Sequence, residues 1–363
     1  SYQKSIALKP DSAEAHFNLG NTLIELGELA GAESSFRQSI ALKPDYAQAH
    51  SNLGNTLRKL DRLRDAEASL RKAVALKPDL ANAHSNLGGT LIELGRVDEA
   101  ISSCVRAINL KSDFNEAYEN LGSALSHAQF KEANPDLYST LIDLLTRGNH
   151  VSPNMVAGSI AGLLKRDNLI SDLLLNTPIC THITEADRTI KVLARVPLLH
   201  QLMRVCPLPE LDFEALFVSI RRLLLESLGK IEASPETIDF LSTLSLHCFT
   251  NEFVYPETDK ESELIGNLET AISECLAQAS QPAIKELLCL ATYRPLHLYD
   301  WSEKVQTLQQ LPEVQSRLLE EPRAEREIGL HMPVLAGIED SVSRKVREQY
   351  ESNPYPRWVK LRV

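Results

Sequence analysis

The sequence predicts an all-α chain, a superhelix of paired helices followed by an irregular helical domain, and three observations carry that prediction. The phrase "AHFNLGNTL" at Ala15 returns as "AHSNLGNTL" at Ala49, "AHSNLGGTL" at Ala83 and "AYENLGSAL" at Ala117, each 34 residues after the last. Between these copies a helix-stopping phrase, "LKPD" at Leu8, Leu42 and Leu76 and "LKSD" at Leu110, recurs on the same step. Beyond His127 the period is lost, yet apolar residues keep helical spacing and alternating strand patterns are scarce.

Each repeated unit holds two helices. Leu19, Leu23 and Leu26 fall on one face of the first, and Ala32, Phe36 and Ile40 on one face of the second. Gly20, Gly54, Gly88 and Gly122 sit inside the first helices, where glycine costs about 1 kcal/mol relative to alanine. Close approach of the paired helix, with Ala32, Ala66 or Ala100 on the facing side, is the expected compensation. Pro10, Pro44 and Pro78 stop the second helices, since proline lacks the amide donor, and the following aspartates are expected to cap the next helix. A fixed 34-residue period with two helices per unit is the pattern of tetratricopeptide repeats, and it extends over residues 1–126. "SYQKSIALKPD" at Ser1 aligns with "SFRQSIALKPD" at Ser35, so the chain is expected to begin in the second helix of a repeat, as a fragment of a longer protein.

Stacked pairs of this kind line a concave surface with their first helices. Asn18, Asn52, Asn86 and Asn120 recur there at the "NLG" position, with Asn21 and Asn55 one turn on. An amide side chain both donates and accepts, so such a ladder can hold the backbone of an extended peptide without regard to its sequence. The same asparagines could instead satisfy neighbouring helices or face water. The repeats resemble those of O-linked N-acetylglucosamine transferases, a resemblance that implies a grip on substrate polypeptide through these asparagines. They also invite comparison with repeat domains that clamp the carboxylate tails of chaperones. Asn21 and Asn52 match that clamp, but Phe17, Asn82 and Asn86 stand where its cations are needed, so that reading is rejected. His16, His50 and His84 recur one repeat apart, a placement that packing explains without a metal.

Residues 127–340 read as a helical spacer domain. "SPETIDFLSTLSLHCF" places Ser234 before Pro235 at a helix start, with Ile238, Leu241 and Leu244 along one side. "ESELIGNLETAISECLAQA" from Glu261 and "PAIKELLCLATY" from Pro282 continue the helical spacing. No nucleophile elbow, zinc-protease or phosphate-loop motif occurs, and the adjacent His247 and Cys248 diverge by about 100 degrees on a helix, so they are expected to be core and surface filler. "RPLHLYDW", Arg294 to Trp301, mixes cations and aromatics and is assigned to packing rather than to a partner.

The formal net charge of -11 argues against electrostatic capture of nucleic acid or anionic membrane, and no run of about 18 apolar residues that could span a bilayer is present. Six scattered cysteines, without metal-ligand spacing, read as reduced residues of a cytoplasmic chain.

From Ser341 a helix is expected, capped by Asp340 or Ser341 and ended by Pro354. The stretch "VREQYESNPYPRW", Val346 to Trp358, resembles a segment of bacterial tetratricopeptide-repeat methyltransferases that lies just upstream of their S-adenosylmethionine domain. The resemblance implies that residues 341–363 lead into a catalytic domain outside this sequence. Tyr350, Asn353, Tyr355, Arg357 and Trp358 would dock that domain, and S-adenosylmethionine would bind there and not in residues 1–363. On this reading the chain is the non-catalytic, substrate-recognition part of a methyltransferase. Its repeats would hold a protein or peptide, and its oligomeric state is left open by the sequence. The alternatives are a non-enzymatic scaffold or the repeat region of a glycosyltransferase.

Overall fold

The computed structural model describes residues 11–148, 150–176, 183–208 and 210–331. Among these residues every regular element is helical, in keeping with the predicted class. The described residues divide into two compact units, one within 11–129 and 150–159, the other within 130–148 and 160–331.

The first unit is built from the repeats. Its first helices are α1 (Ala13–Glu25), α3 (Ala47–Lys59), α5 (Ala81–Glu93) and α7 (Asn115–Leu125). Its second helices are α2 (Leu29–Leu42), α4 (Leu63–Leu76) and α6 (Val97–Leu110), and each packs against the first helix that precedes it. The glycines explain how closely the pairs approach. A Cβ on Gly20 would lie 2.6 Å from the Phe36 ring, one on Gly54 2.5 Å from Leu70 Cγ, and one on Gly88 2.5 Å from Cys104 Sγ. Phe36, Leu70 and Cys104 share one position of the period and are all fully buried, so one contact is remade in each repeat. Gly27, with φ of 78°, and Gly95, with φ of 73°, take the left-handed conformation that turns the chain from first to second helix, and Asp61 takes it between α3 and α4.

The fourth repeat departs from its sequence pattern. No second helix follows α7 in period. Instead Val151 occupies the place beside Gly122, touching the spot where a Cβ would stand. Ser159, in α9 (Pro153–Leu164), donates its hydroxyl to the carbonyls of Leu125 at 2.6 Å and Ala128 at 3.0 Å. His150 stacks on the buried Tyr118 with ring centroids 6.2 Å apart. Residues distant in sequence thus close the array, which no periodicity could reveal.

Two local expectations are corrected. Asp45, Asp79 and Asp113 do not cap the next helix. They lie in turns after the second helices, and Tyr46, Leu80 and Phe114 take the cap positions without a side-chain bond. Among the four first helices only α1 has a side-chain cap, Ser12, which accepts from Ala15 N at 3.2 Å. Leu26 does not join the buried face either: it follows the last residue of α1 and is 67% exposed.

Across the second helices runs a repeated set of ion pairs. Arg62 bonds Glu33 of the preceding repeat at 2.7 Å and Asp65 of its own at 2.6 Å. Arg96, 34 residues on, does the same with Glu67 and Glu99, each at 2.5 Å. Arg71 and Arg96 beside Glu67 hold its carboxyl below the usual range.

The second unit includes α8 (Tyr138–Arg147), α10 (Asn168–Asn176), α11 (Ile183–Leu193), α12 (Pro197–Val205), α13 (Leu211–Glu226), α14 (Pro235–Thr250), α15 (Asp259–Ala277) and α16 (Ile284–Ala291). The short α17 (Pro312–Gln315) then runs through a π-turn at Ser316–Glu320 into α18 (Glu321–His331). Helix α14 starts as predicted, with Ser234 accepting from Thr237 N. It is buried nearly all round, not on one face, because α11, α12 and α16 all pack against it. Its hydroxyls are satisfied within the helix: Ser242 donates to Ile238 O at 2.7 Å and Thr250 to Leu246 O at 2.8 Å.

Polar groups also reach the core from α13. Arg221, 2% exposed, donates to Pro256 O at 2.7 Å and lies 4.0 Å above the ring of Tyr293. Tyr293 donates to Glu261 Oε1 at 3.0 Å, and Glu261 in turn closes a capping box with Thr258 at the start of α15.

Candidate functional site

The four first helices pack side by side, and the repeating asparagines meet along that shared face. Asn52 Nδ2 donates to Asn21 Oδ1 at 2.7 Å, joining α3 to α1. Asn120 Nδ2 reaches Ser85 O and Ser85 Oγ, both at 3.2 Å, joining α7 to α5. Arg58 joins α3 to α5, its Nη1 donating to Glu93 Oε1 at 2.9 Å and its Nη2 to Asn55 Oδ1 at 3.4 Å. The face is therefore cross-linked from repeat to repeat by amides and one guanidinium.

The asparagine ladder is not uniform. Asn18, Asn21, Asn52, Asn55 and Asn120 are half-buried, so each keeps part of its surface open. Asn86 is only 8% exposed, because α5 lies between α3 and α7 and the whole run Ala83–Leu91 is covered. Asn86 is thus a packing residue more than a point of contact. The remaining amides present the donor and acceptor pairs that an extended backbone would need.

Arg58 is the groove residue that sequence reasoning missed. The signal was a break in the period: Arg58 stands where Ile24 and Ile92 stand in the neighbouring repeats. The periodic histidines, by contrast, behave as packing residues. Nε2 of His50 lies 3.0 Å from Pro44 O, and Nε2 of His84 lies 3.0 Å from Pro78 O. Each ties a first helix to the turn before it.

Chemistry in the second unit is absorbed by its core. Nδ1 of His247 faces Met203 O at 3.2 Å and Nε2 faces the Tyr255 hydroxyl at 2.8 Å, while burial pushes the imidazole down to about 4. Cys248 is fully buried, its thiol pushed up to about 12 by burial. Both residues are core, neither is surface. In "RPLHLYDW", Arg294 pairs with Glu257 through two 2.9 Å bonds and Tyr299 stacks on Trp301 at 4.5 Å, so the segment is engaged in packing as expected. Tyr350, Asn353, Tyr355, Arg357 and Trp358 lie outside the described residues, as does the helix expected from Ser341. No helix among the described residues is long and apolar enough to cross a membrane.

Family models described as TPR or tetratricopeptide repeat match residues 1–34, 20–61 and 51–113. These matches agree with the paired helices and the 34-residue period of residues 11–113. A search of curated proteins found no match. Among solved structures, a crystal structure of MamA is 29% identical over 34% of this chain and 72% of that chain, with a TM-score of 0.32. An O-GlcNAc transferase of Thermobaculum terrenum is 26% identical over 37% of this chain and 26% of that chain, with a TM-score of 0.33. YrrB, described as a repeat protein with an unusual peptide-binding site, is 20% identical over 55% of this chain and 96% of that chain, with a TM-score of 0.34.

Proposed function

We propose that the tetratricopeptide repeats bind an extended polypeptide along the face shared by α1, α3, α5 and α7. The observation that carries this reading is the cross-linked row of half-buried amides, from Asn18 and Asn21 through Asn52 and Asn55 to Asn120. An amide fixed by one hydrogen bond keeps a further donor or acceptor for a peptide group, and pre-fixing it lowers the entropy lost on binding. A nine-residue peptide selected from a random displayed library against the whole chain tests the reading. It should slow amide exchange in the first helices and not in the second helices. Asn52→Ala should weaken it by about fivefold, since a hydrogen bond contributes about 1 kcal/mol, and should also release Asn21 from its place in the row. A footprint confined to the second unit, or no enrichment, would refute it.

The finer reading is that this capture serves an S-adenosylmethionine-dependent methyltransferase of bacterial, cytoplasmic type. It is supported by the "QYESNPYPRW" segment and by its place after repeats and a helical spacer. On this reading the cofactor would be held by a strand and glycine-rich turn outside residues 1–363. The coding sequence beyond Val363 tests this: a strand followed by a glycine-rich turn is expected. A stop codon or further helices would leave the scaffold reading, and a two-lobed catalytic region the glycosyltransferase one.

A further inference from the structure

The repeats are so regular that a departure at a single contact is informative. Two departures meet at one point. Arg58 replaces the isoleucine found at its position in the neighbouring repeats, Ile24 and Ile92, and Gly89 replaces the asparagine found at its position, Asn21 and Asn55. A Cβ on Gly89 would stand 3.3 Å from Arg58 Nη1 and 3.6 Å from Asn120 Nδ2. A side chain at 89 would therefore crowd the guanidinium. Gly89 lets the Arg58 side chain lie across α5, in the middle of the amide row.

The link from Arg58 to Glu93 couples the repeats only weakly. The Arg58–Glu93 pair is an open one, the two side chains being 22% and 41% exposed, and ion pairs at such sites add little to stability. Its geometry does show what the guanidinium accepts, since a carboxylate oxygen of Glu93 sits 2.9 Å from Nη1. Glu93 is on the last turn of α5 and loses little by turning to water.

We propose that Arg58 is the specificity-determining residue of the groove and reads a carboxylate on the bound polypeptide, which displaces Glu93 from the guanidinium. The carboxylate is that of an aspartate or glutamate side chain or of a chain terminus, and both present the planar pair of oxygens that arginine binds through two parallel bonds. The clamp rejected on sequence grounds needs cations at the positions of Phe17, Asn82 and Asn86, so this seat is a different one, formed by α3 and α5. The inference rests on the proposal that the groove holds polypeptide, and its test separates the two.

The probe is a set of fluorescein-labelled nine-residue peptides on an alanine and asparagine background, with glutamate, glutamine or lysine placed at each position in turn, and with a free or amidated carboxyl end. Binding to the whole chain is read by fluorescence polarisation. Wild type should prefer glutamate to glutamine about tenfold at one position, or the free to the amidated end, which tells the two sources apart. Salt should reduce the preference. Arg58→Gln should abolish it, and Glu93→Gln should tighten the carboxylate peptides about threefold by removing the internal competitor. That gain cannot arise from misfolding.

A preference retained in Arg58→Gln, a preference for lysine, or equal binding of glutamate and glutamine peptides would overturn the inference while leaving the groove a peptide site. Failure of every peptide to bind would overturn both.

Discussion

The two units of this chain bury polar groups in opposite ways. In the repeat unit each pair closes on a glycine against one apolar partner, and charged groups stay outside in exposed ion pairs such as Arg62 with Glu33. In the second unit a guanidinium, an imidazole and a carboxylate lie inside, at Arg221, His247 and Glu261, each held by carbonyls, hydroxyls or ring faces. A repeat solves its packing once and copies it, so its polar groups are free to line a surface. A unit without period must fix each neighbour separately, and buried hydrogen bonds supply that specificity.

The largest test of the contrast is Arg221→Ala. It strands the Pro256 carbonyl and strips the face of Tyr293, so the second unit should lose about 3 kcal/mol or more. Exchange protection of its amides should fall while that of α1 to α7 is unchanged. Equal loss in both units would break the contrast.

Protonation gives a graded version of the same test. His247 is held near 4 in the fold against 6.5 when unfolded, so the unfolded chain binds the extra proton between those values. The stability His247 supports is whole above pH 6.5 and is lost as pH falls towards 4, with a limiting slope of about 1.4 kcal/mol per pH unit. Denaturant melts that follow the second unit should show this slope, and His247→Gln should flatten it. A slope unchanged in the variant would assign it elsewhere.

Gly54→Ala probes the repeats. A methyl group there meets Leu70 Cγ at 2.5 Å and Ala66 O at 3.1 Å, so overpacking should outweigh the gain in helix propensity and cost about 1–2 kcal/mol, confined to the repeat unit. Stabilisation would show that the pair can separate freely. The smallest effect is expected of Arg62→Gln: its ion pairs are exposed, and its thermal melt should overlay that of wild type. A resolvable shift would mean that the outer ion pairs contribute to holding neighbouring repeats together.

The same contrast explains what could be read from sequence. Repetition made Gly20, Gly54 and Gly88 legible, because one physical problem was posed several times with related answers. It hid the closure of the array by Val151 and Ser159, which lie outside the period. In the second unit the start of α14 was legible at Ser234 and Pro235, a local matter. Its burial on every side was not, since that depends on α11, α12 and α16 arriving from elsewhere in the chain. At the groove the asparagines were visible as a pattern, but the burial of Asn86 follows from its place between two first helices, which the pattern does not encode. Arg58 and Gly89 were visible only as irregularities, and their meaning required seeing that they touch.

The central claim, that the amide row binds polypeptide, is tested most directly at the amides themselves. The chain can be labelled with nitrogen-15 at asparagine alone and its side-chain amide signals assigned by single substitutions. On addition of a library-selected peptide, the signals of Asn18, Asn52 and Asn55 should shift together while those of Asn168 and Asn251 in the second unit stay fixed. Shifts at Asn168 or Asn251 with Asn18, Asn52 and Asn55 unmoved would contradict the account.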